Sequence, residues 1–159
     1  MSHQNATDNS GKMIRGNDHR IIEKLLKLAD YSLYDNRLFT LSDLYDAAES
    51  KTIISTFDIL MSGRIHGAVQ GLSQGIPTAI IDYGHEPKAH KLKGFAQVYQ
   101  VNELLCDPNS EESMINSFKS LYYGKETIRK NLDDILPAVK LLAQNNFHLL
   151  KEIMSTEIK

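Results

Sequence analysis

The sequence predicts an α/β domain, a Rossmann-like parallel sheet with helices on both faces. Three observations predict it. Short apolar, largely β-branched runs alternate with stretches of helical periodicity from residue 18 onward. The runs are nearly continuous in apolar character, as in strands buried on both sides. Gly, Pro, Asn and Asp punctuate the boundaries between them. The 159 residues suffice for one compact domain and not comfortably for two.

Residues 1–17 are rich in Ser, Asn, Gly, Asp and His and are read as a disordered polar tail. Residues 18–159 are read as a single α/β domain ending in long C-terminal helices. Asp18 caps a first helix, with Ile21, Ile22, Leu25, Leu26 and Leu28 at helical spacing. Residues 31–34 read as a short strand closed by Asp35-Asn36. Thr40 and Asp43 start a second helix, with Leu44, Ala47, Ala48, Ile53 and Ile54 as its buried face. Residues 57–61 form a buried strand that ends at Ser62-Gly63, and residues 64–74 form a helix stopped by Gly75-Ile76-Pro77. Thr78-Ala79-Ile80-Ile81 is the next strand. A helix over 87–97 and a strand within 98–105 follow. Asn109 or Ser110 caps a further helix, which Gly124 breaks. A last helix runs over 125–154, kinked or interrupted at Pro137. Its stripe Ile135, Val139, Leu142 and Phe147 is read as core.

Composition narrows the function. Eighteen Lys+Arg against twenty Asp+Glu give a net charge of −2, so nothing pulls the whole surface toward nucleic acid or an anionic membrane. A single cysteine, Cys106, excludes an internal disulfide framework and a Cys-rich zinc site. No apolar run is long enough to span a bilayer, and the N-terminus has no signal-peptide core. The expectation is a cytoplasmic protein without nucleic-acid partner, membrane span or metal.

Ligands of parallel α/β sheets bind beyond the carboxyl ends of the strands. That rule singles out two loops. The first is Ser62-Gly63-Arg64-Ile65-His66-Gly67, which joins a strand to a helix. A helix start offers unpaired N–H groups and positive potential. Arg64 adds a planar two-point grip on phosphate or carboxylate. His66 can donate a proton or a hydrogen bond. Gly63 and Gly67 let backbone approach a ligand. The loop suits a small, doubly anionic ligand. Pattern alone favours the plainer reading, in which Arg64 pairs with a surface acid and His66 is a structural histidine.

The second loop holds His85, Glu86, Lys88, His90, Lys91 and Lys93. Its histidines are five apart with Pro87 between them, so they do not form the i, i+4 zinc-protease pair. A solvated charged loop is the reading pattern alone favours. No nucleophile elbow and no dinucleotide glycine fingerprint is present. Asp58 and Asp82 sit at strand edges without a partner for acid–base work.

Residues 57–67 followed by 72–83, with R-x-H, then G-I-P before the next strand, and then His90-Lys91-Leu92-Lys93-Gly94-Phe95, resemble the polysaccharide pyruvyl transferase family. The resemblance covers about residues 18–101. It implies transfer of a pyruvyl group from phosphoenolpyruvate to a sugar of a polysaccharide or glycan in cell-envelope or exopolysaccharide synthesis, with no cofactor besides that donor. It implies Arg64 and His66 as catalytic residues, and Ser62, Gly63, Arg64, His66, Gly67, Tyr83, His90 and Lys91 as substrate-binding ones. It also implies the C-terminal half of a glycosyltransferase-B-like fold. The family's usual N-terminal domain is not in this sequence, so the face it would cover is expected to meet a partner chain or another copy. A nucleotide-sugar glycosyltransferase half-domain and a non-catalytic interaction module are the alternatives.

Overall fold

In a computed structural model, the described residues are 6–7, 13–15, 18–28, 37–41, 45–83 and 90–156. The chain falls into two compact units, Met1–Ala48 and Glu49–Lys159. In the first, β1 (Ala6–Thr7) pairs antiparallel with β2 (Met13–Arg15), within the stretch read from sequence as a tail. The first helix, α1 (Asp18–Leu28), follows the expected bounds. Its Ile22 and Leu26 line a cavity of about 350 Å³ together with residues 38–41. The expected strand at 31–34 and the turn at Asp35-Asn36 lie outside the described residues.

The second unit is built on a three-stranded sheet of β3 (Leu60–Ser62), β4 (Thr78–Ile81) and β5 (Leu105–Cys106), in that order and all parallel. Leu60, Met61 and Ser62 stand opposite Thr78, Ala79 and Ile80. Ile80 and Ile81 stand opposite Leu105 and Cys106. The helices are α2 (Ala47–Ser55, which begins just before the unit boundary), α3 (Ile65–Leu72), α4 (His90–Val98) and α5 (Glu111–Thr156). A 3₁₀ turn, Asn102–Leu104, leads into β5. The core gathers Leu72, Ile80, Leu92, Leu104, Leu121 and Leu132, each 2% exposed or less.

Strand alternation places helices on both faces of the sheet. A Cβ built at Gly71 of α3 would meet Leu60 and Thr78, and one at Gly67 would meet Ser62. Those strand side chains therefore face α3. Met61, between Leu60 and Ser62, points the other way. There it lines a groove with Met114, Phe118 and Tyr122 of α5. Gly71 is the closest approach, because any side chain there would collide with the Thr78 hydroxyl. The end of α3 needs Gly75, whose φ is +74°. Its N–H donates to Leu72 O and the N–H of Ile76 donates to Gly71 O, which caps the last carbonyls and turns the chain into β4.

Several expectations are corrected. The second helix begins at Ala47, not near Thr40, and buries Ser50 and Ile54 while Ala47 and Ala48 are exposed. Asp43 and Leu44 lie outside the described residues. The strand read at 57–61 is shifted to Leu60–Ser62, because parallel pairing starts where Leu60 N–H donates to Pro77 O. The strand read within 98–105 shrinks to Leu105–Cys106, since Val98 closes α4 and residues 102–104 form the 3₁₀ turn. The two C-terminal helices are one. Gly124 does not break α5, because a glycine costs only about 1 kcal/mol, whereas Leu121, Leu132 and Leu136 on either side of it are buried against the sheet. Pro137 lies inside the same helix on an exposed position, so its ring and missing N–H fall on the side away from the core. Ile135 and Val139 are partly buried, but Leu142 and Phe147 are 59% and 74% exposed and are not core. Ser110, rather than Asn109, caps α5: its Oγ accepts the N–H of Ser113 at 3.1 Å.

Candidate functional site

The carboxyl ends of β3, β4 and β5 share one edge of the sheet, since all three strands are parallel. The turn from β3 into α3 occupies that edge. Its geometry is set by Ser62. The Ser62 hydroxyl donates to Arg64 O at 2.9 Å and accepts the Arg64 N–H at 3.2 Å. One short side chain thus fixes both polar groups of the Arg64 backbone. Arg64 is held extended, with φ −114° and ψ 131°, at the position just before the helix. The first helical bond is donated by Ala68 N–H to Arg64 O at 3.0 Å. The N–H groups of Ile65, His66 and Gly67 precede that bond and have no intrahelical acceptor. Three backbone donors and the positive end of the helix therefore lie at the sheet edge.

The side chains suit that position. Arg64 is half-buried and His66 is exposed on the first turn of α3. Gly67 is buried, and a Cβ there would lie 2.5 Å from Ser62 Oγ. Its missing side chain is what lets the helix start pack on the serine brace. Gly63 lies against Ile81: a Cβ on it would stand 3.7 Å from the Ile81 Cβ. This contact joins the first loop to the end of β4.

Asp82 and Tyr83 follow Ile81 at the same edge. The Asp82 N–H donates to Cys106 O at 2.8 Å, extending the ladder one residue past β4. Its Oδ1 is buried and has no hydrogen-bond partner among the described residues. Asp82 shares strand parity with Thr78, whose hydroxyl faces α3, so its carboxylate belongs to the α3 side of the sheet. Tyr83 is 50% exposed. Cys106 ends β5 and is buried, with its Sγ donating to Ile80 O at 3.5 Å. Burial pushes the Cys106 thiol up, the hydrogen bond with Ser117 opposes this, and Asp107 adds to it. Cys106 is thus a fully buried small residue.

The structure brings together Ser62, Gly63, Arg64, His66 and Gly67 on one turn, with Tyr83 at the end of the neighbouring strand. His90 and Lys91 are on a separate element, the first turn of α4, where Lys91 is exposed. His85, Glu86 and Lys88 lie outside the described residues. Sequence reasoning noted Asp82 only as an unpaired acid. The parity of Thr78, Ile80 and Asp82 was the signal that could have placed it beside α3. Among the described residues no three His, Cys, Asp or Glu side chains come together as a metal site, and no helix is long and apolar enough to cross a membrane.

A comparison with protein families matches residues 3–85 to the family described as polysaccharide pyruvyl transferase. The match begins and ends earlier than the motif resemblance. It covers β1 to β4, including the Ser62-to-Gly67 turn, and leaves His90-Lys91-Leu92-Lys93-Gly94-Phe95 outside. No curated protein and no solved structure matches the chain significantly. With just over half of its 159 residues inside the match, the R-x-H turn and the G-I-P strand entry among them, the chain belongs to the polysaccharide pyruvyl transferase family.

Proposed function

We propose that the chain binds phosphoenolpyruvate at the carboxyl edge of its sheet. The reaction it serves is transfer of the pyruvyl group to a sugar of a polysaccharide or glycan. It acts as one of two α/β domains facing each other across a cleft, in a glycosyltransferase-B-like arrangement. Family membership supports pyruvyl transfer in polysaccharide synthesis at the level of the family. The observation that carries the finer reading is the braced turn. Ser62 fixes the Arg64 backbone at the start of α3, next to three amides that have no acceptor within the helix.

Phosphoenolpyruvate is a compact anion with a phosphate and a carboxylate on neighbouring atoms. The helix start takes one anionic group through backbone donors. The Arg64 guanidinium takes the other in two-point fashion. His66, exposed on the same turn, is placed to give a proton to the enolpyruvyl methylene or to support the departing phosphate. Tyr83 and Lys91 serve as further ligand contacts from the next strand end and the next helix. The sugar supplies two hydroxyl oxygens to the carbon that becomes the ketal.

The test is a titration of the full chain with phosphoenolpyruvate, followed by backbone amide signals. The signals of residues 63–67 shift at millimolar ligand, and Arg64→Ala abolishes the shift. Absence of any shift in the parent chain overturns the proposal. A stronger response to a nucleoside diphosphate in the same titration assigns the site to a glycosyltransferase instead.

A further inference from the structure

The distal part of α5 carries apolar side chains that the domain does not cover. Leu121, Leu132 and Leu136, in its proximal part, are buried. Beyond Val139 the burial stops: Leu142, Leu149 and Leu150 are 59%, 57% and 54% exposed, and Phe147 and Met154 are 74% and 57% exposed. The change is not a change of sequence pattern. Ile128, Leu132, Ile135, Val139, Leu142, Asn146, Leu149 and Ile153 follow one another at alternating steps of four and three. That is a heptad seam, with Leu132, Val139, Asn146 and Ile153 at its a positions and Ile128, Ile135, Leu142 and Leu149 at d. The same seam that binds the helix to its own sheet runs on past the domain, over about 25 Å of helix from residue 140 to residue 156.

Two arguments name what covers it. The first is area. The exposed Leu142, Leu149, Leu150 and Ile153, at a, d and e positions of the seam, present roughly 100 Å² of apolar surface apiece, on the order of 400 Å² together. That is as large as the whole largest apolar patch of an ordinary monomer and about half of one partner's share of a standard interface, from a single helix. The second is Asn146, which interrupts the apolar seam with a carboxamide. Pressed against an unrelated apolar groove, that group is buried without a partner. Set against the same residue across a two-fold axis, the amide N–H of one copy meets the carbonyl O of the other. A single Asn at an a position, with β-branched Val139 and Ile153 at neighbouring a positions and Leu at d, is the composition of a parallel two-stranded pairing.

We propose that α5 beyond Val139 is a self-association surface whose occupant is α5 of a second copy, parallel and in register, with Asn146 opposite Asn146. Leu142 and Leu149 form the apolar layers on either side, and Leu150, at an e position, widens the contact along its flank. The surface is independent of the sheet edge and of the pyruvyl transfer reading.

Light scattering on the full chain after size exclusion, at tens of micromolar, gives about twice the chain mass of 18.0 kDa. Leu149→Asp halves that mass while the circular dichroism spectrum still reports a folded helical chain, because the residue is exposed within one copy, and its urea midpoint loses the rise with chain concentration that association gives the parent. Asn146→Cys forms an inter-chain disulfide on mild oxidation. The readout is clean, since Cys106 is the one native cysteine and is 1% exposed. A parent chain that is monomeric throughout overturns the proposal. So does a Leu149→Asp variant that keeps the doubled mass, because association then uses another surface. A dimeric Asn146→Cys chain that fails to cross-link overturns the parallel register.

Discussion

Gly67→Ala tests whether Ser62 is the part that positions Arg64. The added Cβ would lie 2.5 Å from Ser62 Oγ, well inside contact distance. The hydroxyl must rotate away. It then gives up its bonds to Arg64 O at 2.9 Å and to Arg64 N–H at 3.2 Å. At about 0.5–1.5 kcal/mol net for each bond, the loss is about 1–3 kcal/mol. Removing a helical glycine returns about 1 kcal/mol. The single substitution therefore destabilises by about 0–2 kcal/mol. The sign changes in a Ser62→Ala background. There the nearest neighbour of the new Cβ is the residue-62 Cβ at 3.4 Å, an ordinary contact. Only the helix gain remains, so the same substitution stabilises by up to about 1 kcal/mol. Urea denaturation of the parent, both single variants and the double variant completes the cycle. Additive effects, within about 0.5 kcal/mol, would refute the brace.

Two further outcomes follow from the same geometry. Asp82→Asn removes a negative charge from the edge proposed to hold a polyanion, so phosphoenolpyruvate binds more tightly by about 0.5–1 kcal/mol; calorimetric titration reads this, and unchanged or weaker binding places Asp82 away from the anion. Burial raises both the Tyr99 hydroxyl and the Cys106 thiol above their ordinary values. Both are acids that stay protonated in the folded chain after the unfolded chain has ionised. Their contribution to stability is whole below the unfolded values, about 8.5 for Cys and about 10 for Tyr, and is lost as pH rises through the folded ones. Urea midpoints should fall above about pH 8.5, and the fall should be shallower in a Tyr99→Phe, Cys106→Ala variant. An equal fall in both chains sets these groups aside as its cause.

The fold was most legible where local chemistry and tertiary demand agreed. Thr78–Ile81 was read to the residue, because a β-branched run lies between Gly75-Ile76-Pro77 and an Asp-Tyr-Gly stop. α1 and α3 were read to within a residue or two for the same kind of reason. The errors came where packing overrode a local signal. Gly124 looks like a break, yet its helix is anchored on both sides by buried leucines. Val98 and Val101 look like strand, yet the backbone at 97–101 is spent on closing α4: the N–H groups of Gln100 and Val101 donate to Gln97 O and Ala96 O. β5 is left with two residues. The exposed end of the Ile135-to-Phe147 stripe was misread because periodicity reports that a face is apolar and not what covers it.

The site divides along the same line. Arg64, His66 and the flanking glycines could be found in the sequence, since a strand end followed by a helix start is a local pattern with a known electrostatic consequence. The parts that make the pattern into a site are not local. Ser62 acts on Arg64 two residues on, but its hydroxyl stays in place only because Gly67, on the far side of the turn, has no side chain. Asp82 is eighteen residues from Arg64 in sequence and arrives at the same edge through the β3–β4 register. Its buried Oδ1, without a partner among the described residues, opposes the positive potential of the α3 start. An edge that holds both signs is a poorer trap for a bare anion than Arg64 and the helix start would be alone. It suits better a reaction in which an anionic donor and a hydroxyl-bearing acceptor must meet.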